Sequence, residues 1–140
     1  MCEQGMDTEE AEGGKVMPKR QGWKAQLAED SGRETKKAVE QYKRYQATDR
    51  VIHLQYASKH LFNAVENYIR YKYAKPDRKY RRVLEMIEGN KHDEMLLISA
   101  SRLHHFYCNA DGYMCRYDVV LVFRNIMTKL KKRIRRISYD

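Results

Sequence analysis

Apolar residues spaced three and four apart along the C-terminal part of this chain decide what it can fold into. Val119, Phe123, Ile126, Leu130, Ile134 and Ile137 recur at steps of four, three, four, four and three. That spacing gathers them on one side of an α-helix, whereas in a strand it would scatter them over both faces. The valine-rich residues 119–122 would suit a strand, but a pattern sustained over nearly twenty residues favours a helix starting near Asp118. Residues 50–73 carry the same signature in Leu54, Ala57, Leu61, Ala64 or Val65, and Tyr68, a stripe suited to a shared core. Pro76 ends that helix by pushing the residue before it out of helical geometry.

Weaker patterns fill the intervals. A first helix is predicted from about Glu34 to Gln46, with Ala38, Val39, Tyr42 and Tyr45 on its packing face and Thr48 or Asp49 placed to cap the next helix. Asp77 is placed to cap a short helix buried through Tyr80, Val83, Leu84 and Ile87 and stopped by Gly89. Residues 93–109 form another, with Leu96, Ala100, Leu103 and Tyr107 as its seam and Ile98 and Phe106 beside it, before the turn chemistry of Asn109-Ala110-Asp111-Gly112. Residues 1–33, with Gly13-Gly14, Pro18 and little apolar periodicity, read as a flexible tail from which Trp23, Ala25 and Leu27 can dock; residues 34–140 read as the domain. Amphipathic helices with short connections predict an all-α, antiparallel bundle of four to five helices.

Charge narrows the choice of partner. The net charge is +9, but residues 1–14 hold five acids (Glu3, Asp7, Glu9, Glu10, Glu12) and no base, leaving 28 bases against 14 acids in the rest. So basic a body attracts polyanions, nucleic acid first and acidic protein surfaces second. The first concentration is Arg70, Lys72, Lys75, Arg78, Lys79, Arg81 and Arg82, interleaved with Tyr68, Tyr71, Tyr73 and Tyr80. Cations that neutralise phosphates beside rings that stack on unpaired bases are what a single-stranded RNA surface needs, with Arg70, Lys72, Arg78, Lys79, Arg81 and Arg82 on phosphates and Tyr71 and Tyr73 on bases. The second is Lys129, Lys131, Lys132, Arg133, Arg135 and Arg136, on the polar side of the last helix. There the helix dipole also favours cations.

Little else points to chemistry. The three cysteines, Cys2, Cys108 and Cys115, show no zinc-knuckle or redox spacing and read as reduced thiols in a cytoplasmic protein. No glycine-rich phosphate loop, Ser-His-acid order, secretory signal or membrane-length apolar run is visible, and neither a metal nor a cofactor is expected. Glu85, Glu88, Asp93 and Glu94 read as surface charge. The stretch Ser101-Arg102-Leu103-His104-His105-Phe106-Tyr107-Cys108-Asn109 stands apart. Its adjacent histidines point about 100° apart on a helix, so at most one faces the core, and a histidine near neutral pH serves as general acid or base.

Leu103-His104-His105-Phe106-Tyr107, a short polar turn, and the helix that Asp118-Val119-Val120 opens and Leu130 and Ile134 close together resemble the HEPN superfamily. These are small helical bundles of prokaryotic toxin–antitoxin and defence systems, and the resemblance covers roughly residues 50–137. It implies a helical bundle, a homodimer, and a His-x-Tyr step falling on His105 and Tyr107. Ribonucleases of the family place an Arg before the His with four to six residues between; here Ala100 stands five residues before His105, and Arg102 only three. The expectation is a degenerate, non-catalytic member that binds RNA or another polyanion. The alternatives are a metal-independent ribonuclease toxin, with His105 as base, Arg102 steadying phosphate charge and Tyr107 positioning, and an interaction module for a cognate protein partner.

Overall fold

In a computed structural model the described residues are 20–73, 83–85, 87–109 and 114–139, with side chains described from 22 to 135 within those spans. They form four long helices and contain no strand: α1 Arg20–Thr48, α2 Val51–Lys72, α3 Lys91–Cys108 and α4 Arg116–Tyr139. Contacts show the order to be up-down-up-down, because paired positions rise on one helix as they fall on the next. On α1 and α2 the pairs are Lys24 with Tyr71, Ser31 with Ala64, Glu34 with His60 and Gln41 with His53. On α2 and α3 they are Gln55 with Tyr107 and Lys72 with Asp93. Tyr42 stacked on Phe123, centroids 4.7 Å apart, brings α4 back against α1. The all-α bundle expected from periodicity is the fold.

The two strongest patterns hold in detail. Leu54, Ala57, Leu61, Ala64, Val65 and Tyr68 from α2 are buried together with Val119, Phe123, Ile126 and Leu130 from α4, and Ile134 packs at the edge; Ile137 lies outside the described side chains. On α3 the seam is wider than one stripe. Leu97 and Phe106 are fully buried beside Leu96, Ala100 and Leu103, since α3 packs on both α2 and α4. Ile98 is 40% exposed. Asp77 and Tyr80 fall outside the described residues, but Val83 and Ile87 are sealed in the core. Gly89, at φ +97°, makes the stop before Asn90, whose side-chain oxygen accepts the Asp93 N–H at 3.1 Å and caps α3.

Two expectations give way. Neither Thr48 nor Asp49 caps α2: the capping position is Arg50, without a side-chain cap. Thr48 is the last residue of α1, and Asp49 takes the left-handed conformation at φ +60° that makes the turn, one that Asp tolerates better than most residues. Arg116 then donates to the Asp49 carbonyl at 3.2 Å, fixing the start of α4 on that turn. The larger difference is in α1, which begins at Arg20 rather than near Glu34. Residues 20–33 are therefore helix, not tail; residues 1–19 lie outside the described residues.

The reason is that α1 packs through small and polar groups, which apolar periodicity does not register. Ser31 is fully buried and donates to the Ala64 carbonyl of α2 at 2.8 Å, and Thr35 donates to the Ser31 carbonyl at 2.8 Å. With both hydroxyls satisfied, their burial is cheap, and with Ala38, Ala57 and Ala64 they let the helices approach closely. Glu34 accepts from the His60 ring at 2.7 Å. Burial alone would raise the Glu34 pKa, but the hydrogen bond and charge of His60, with Lys37 and Asn63, hold it below the ordinary carboxylate value.

Leu27, 6% exposed, tests whether residues 20–33 belong to the fold. Leu27→Ala should lower unfolding free energy by about 2–4 kcal/mol, measured by urea denaturation. A tail residue would leave the midpoint unchanged.

Candidate polyanion interface

The first basic concentration is not a free surface where it is described. Arg70 is 7% exposed and donates to Asn67 Oδ1 at 2.8 Å. Tyr71 is half-buried under the Lys24 ammonium, 5.4 Å from the ring centroid. Lys72 and Tyr73 both turn inward to Asp93, the ammonium at 2.7 Å and the phenol donating at 2.6 Å to the same oxygen, Oδ2. Burial, then that hydrogen bond and the charge behind it, push the Tyr73 hydroxyl up to about 12. Arg78, Lys79, Arg81 and Arg82 lie outside the described residues.

Asp93 itself corrects the sequence reading. It is fully buried, not surface charge. Its Oδ1 has no hydrogen-bond partner among the described residues, and Arg133 Nε of α4 stands 4.0 Å from it. One carboxylate thus draws α2, α3 and α4 together, and sequence offered only Asn90 three residues before it, the spacing of a helix cap.

Arg102 and Tyr107 have different neighbours within one chain. Arg102 is exposed and lines a shallow groove with Met114, Asp118, Leu121 and Val122 of the α4 side. Tyr107 faces α2, with Tyr56 6.2 Å away and Lys59 5.6 Å over its ring. His105 is exposed on the outer side of α3, and two residues along a helix put it about 160° from Tyr107. The His104 ring lies 4.8 Å from Phe62 and 6.2 Å from Tyr107. Burial there, and then the charge of His105, lower its pKa. Cys108 and Cys115 are free thiols, and no cluster of three or more metal-ligating side chains occurs among the described residues.

Exposed cations without an ion pair among the described residues are most concentrated on α4. The α4 sequence holds eight bases (Arg116, Arg124, Lys129, Lys131, Lys132, Arg133, Arg135, Arg136) against one acid, Asp118. Arg124, Lys129, Lys131, Lys132 and Arg135 are exposed and form no ion pair with a described residue. Where the C-terminal half of α4 passes α1, a groove of about 440 Å³ opens, lined by Glu29, Gly32, Arg33, Thr35, Lys36, Lys131 and Ile134. Arg33 pairs with Asp30 on its own helix, whereas Lys36 and Lys131 have no ion pair among the described residues. Lys131 belongs to the second basic concentration read from sequence; Gly32, Arg33 and Lys36 went unread because the apolar pattern there is thin.

Gly32 is the odd residue in this wall. A glycine inside a helix costs about 0.5–1 kcal/mol relative to alanine. Here no left-handed conformation requires it, and a Cβ added at Gly32 would meet nothing within 4 Å. The backbone is bare where the groove is open.

Fold and surface together define an all-α, antiparallel bundle with a buried carboxylate clamp and a cationic face that pairs with no acid among the described residues. No family model, curated protein or solved structure matches the chain.

The clamp predicts a specific loss. Asp93→Ala should destabilise the protein by about 2–4 kcal/mol, because Lys72, Tyr73 and Arg133 lose a shared anion and the α3 start is disturbed. In thermal melts Tyr73→Phe should cost less, about 1 kcal/mol, since Lys72 still satisfies Oδ2.

Proposed function

We propose that this protein is a non-catalytic, HEPN-like helical bundle of the cytoplasm that binds RNA or another polyanion through the basic face of α4 and the neighbouring side of α1. The observation carrying this reading is the row of exposed α4 cations that meet no acid among the described residues. An uncompensated row of this kind is repulsive in the free protein, and phosphates relieve the repulsion while releasing their counterions. Arg102 lines the groove on the α4 side while Tyr107 faces α2, a separation that supports binding rather than cleavage. The membrane has no part in this reading: no described helix is long and apolar enough to cross one.

In this reading the contact lies away from the tyrosine-rich end of α2. Lys72 and Tyr73 are committed to Asp93 and Tyr71 lies under Lys24, so the α4 cations take the part first assigned to Lys72 and Arg70. Labelled single-stranded RNA should bind at 50 mM salt and weaken by about 10- to 100-fold at 200 mM. Replacing Lys129, Lys132 and Arg135 by alanine should reduce affinity at both salt concentrations and flatten the salt slope. No binding by wild type at 50 mM would remove the proposal.

The homodimer implied by the HEPN likeness has a place on the opposite side. Met95 and Ile98 of α3 and Tyr117 and Leu121 of α4 are exposed apolar residues, 62%, 40%, 70% and 48% accessible. Toward solvent α3 carries Lys91 and Arg102 against Glu94, its other acid Asp93 being buried, so this side repels a second basic copy less than the C-terminal half of α4 does. Light scattering should report a dimer for wild type and a monomer for Ile98→Asp with Leu121→Asp. An unaltered monomeric mass in both proteins would exclude this interface.

A further inference from the structure

Resting on the polyanion reading, we propose that the groove between α1 and α4 at Gly32 is the seat of a stretch of RNA sugar–phosphate backbone, held by Lys36 and Lys131 with Arg33 at its rim. Three observations converge on this groove. It lies between two helices that each bring to it a lysine with no ion pair among the described residues, Lys36 and Lys131, and its described lining holds one acid, Glu29, against three bases. At about 440 Å³ it falls within the range of clefts that hold small ligands. Its wall contains a helical glycine that neither backbone geometry nor packing requires.

The last point separates a site from a charged surface. Phosphate binding by a flat basic face needs long cationic side chains and is indifferent to a missing Cβ. A backbone chain lying between two helices needs width, and any side chain at position 32 would project into that width, because nothing else is there to receive it. Gly32 thus gives up helix stability to keep the passage open.

The lining also says how RNA is read. No aromatic ring of a described residue lines the groove. Without a stacking platform the contact is to phosphate and sugar, which carry no sequence information. Ile134 supplies apolar floor for the ribose, and Glu29, half a turn and more along α1, is the one lining group that repels phosphate.

The test uses the full chain and mixed-sequence RNA, single-stranded and duplex, with melting recorded for each variant. Gly32→Ala should melt about 2–4 °C higher, since alanine is the better helix former and meets no neighbour, and should bind about threefold more weakly than wild type. Gly32→Leu should keep the fold and the net charge yet bind at least about tenfold more weakly. Lys36→Ala with Lys131→Ala should reduce the salt slope by about 1.4 for single strands, the share of two phosphate contacts. Glu29→Gln should tighten binding. If Gly32→Leu folds and binds as wild type does, the groove is not the seat, although the cationic face remains in play. If wild type binds no RNA at low salt, both readings fall. If anionic vesicles bind and are released by Gly32→Leu while RNA is not bound, the ligand is lipid and the proposal is overturned.

Discussion

A buried carboxylate sets the geometry of this protein. Asp93 is the anion on which the end of α2, the start of α3 and the basic half of α4 converge, through Lys72, Tyr73 and Arg133. Taking a charge out of water is expensive unless it is met by cations and donors, so these elements are obliged to stay together. The consequence reaches the surface. Lys72 and Tyr73 are engaged by Asp93, and Arg133, only 19% exposed at its side chain, is held on the core side while its neighbours Lys131, Lys132 and Arg135 face out. The clamp thereby sorts the cations of the chain into structural and available ones.

That sorting explains which parts of the molecule were legible in the sequence. Apolar periodicity located α2 and α4 to within a few residues, because both bury oily stripes in a common core. It failed on the first half of α1, where the buried positions among the described residues are Leu27 and Ser31. Only Leu27 among them is strongly apolar, and a hydroxyl that hides by donating to a carbonyl looks in sequence like one that faces water. Asp93 failed for the same reason in stronger form. A carboxylate reads as surface until its partners are known, and those partners are 20 and 21 residues away on another helix. The candidate interface was half legible: the α4 cations stand out by charge, but the groove depends on α1 passing beside them, and so on the helix the pattern did not extend far enough.

Charge is distributed by helix rather than evenly. On α3 bases and acids balance, and the exposed side chains of Met95 and Ile98 give it an apolar outer face. On α4 the first half exposes Tyr117 and Leu121, and the second half exposes Lys129, Lys131, Lys132 and Arg135. One continuous amphipathic helix thus carries two different outer surfaces at its two ends, while its inner stripe from Val119 to Leu130 stays buried throughout.

This division has a physical consequence for the proposed assembly. Two copies of a strongly basic body repel each other, and the repulsion falls with distance over a Debye length, about 8–10 Å at physiological salt. Pairing through the first half of α4 and the outer side of α3 would keep the cationic ends apart by more than that, since ten residues of helix span about 15 Å. The same arrangement leaves the groove beside Gly32 unobstructed in both copies. Occupation of the groove by RNA would further lower the net charge each copy presents to the other. The proposed binding and the proposed pairing then reinforce one another through electrostatics alone, with no change of shape required in the bundle that connects them.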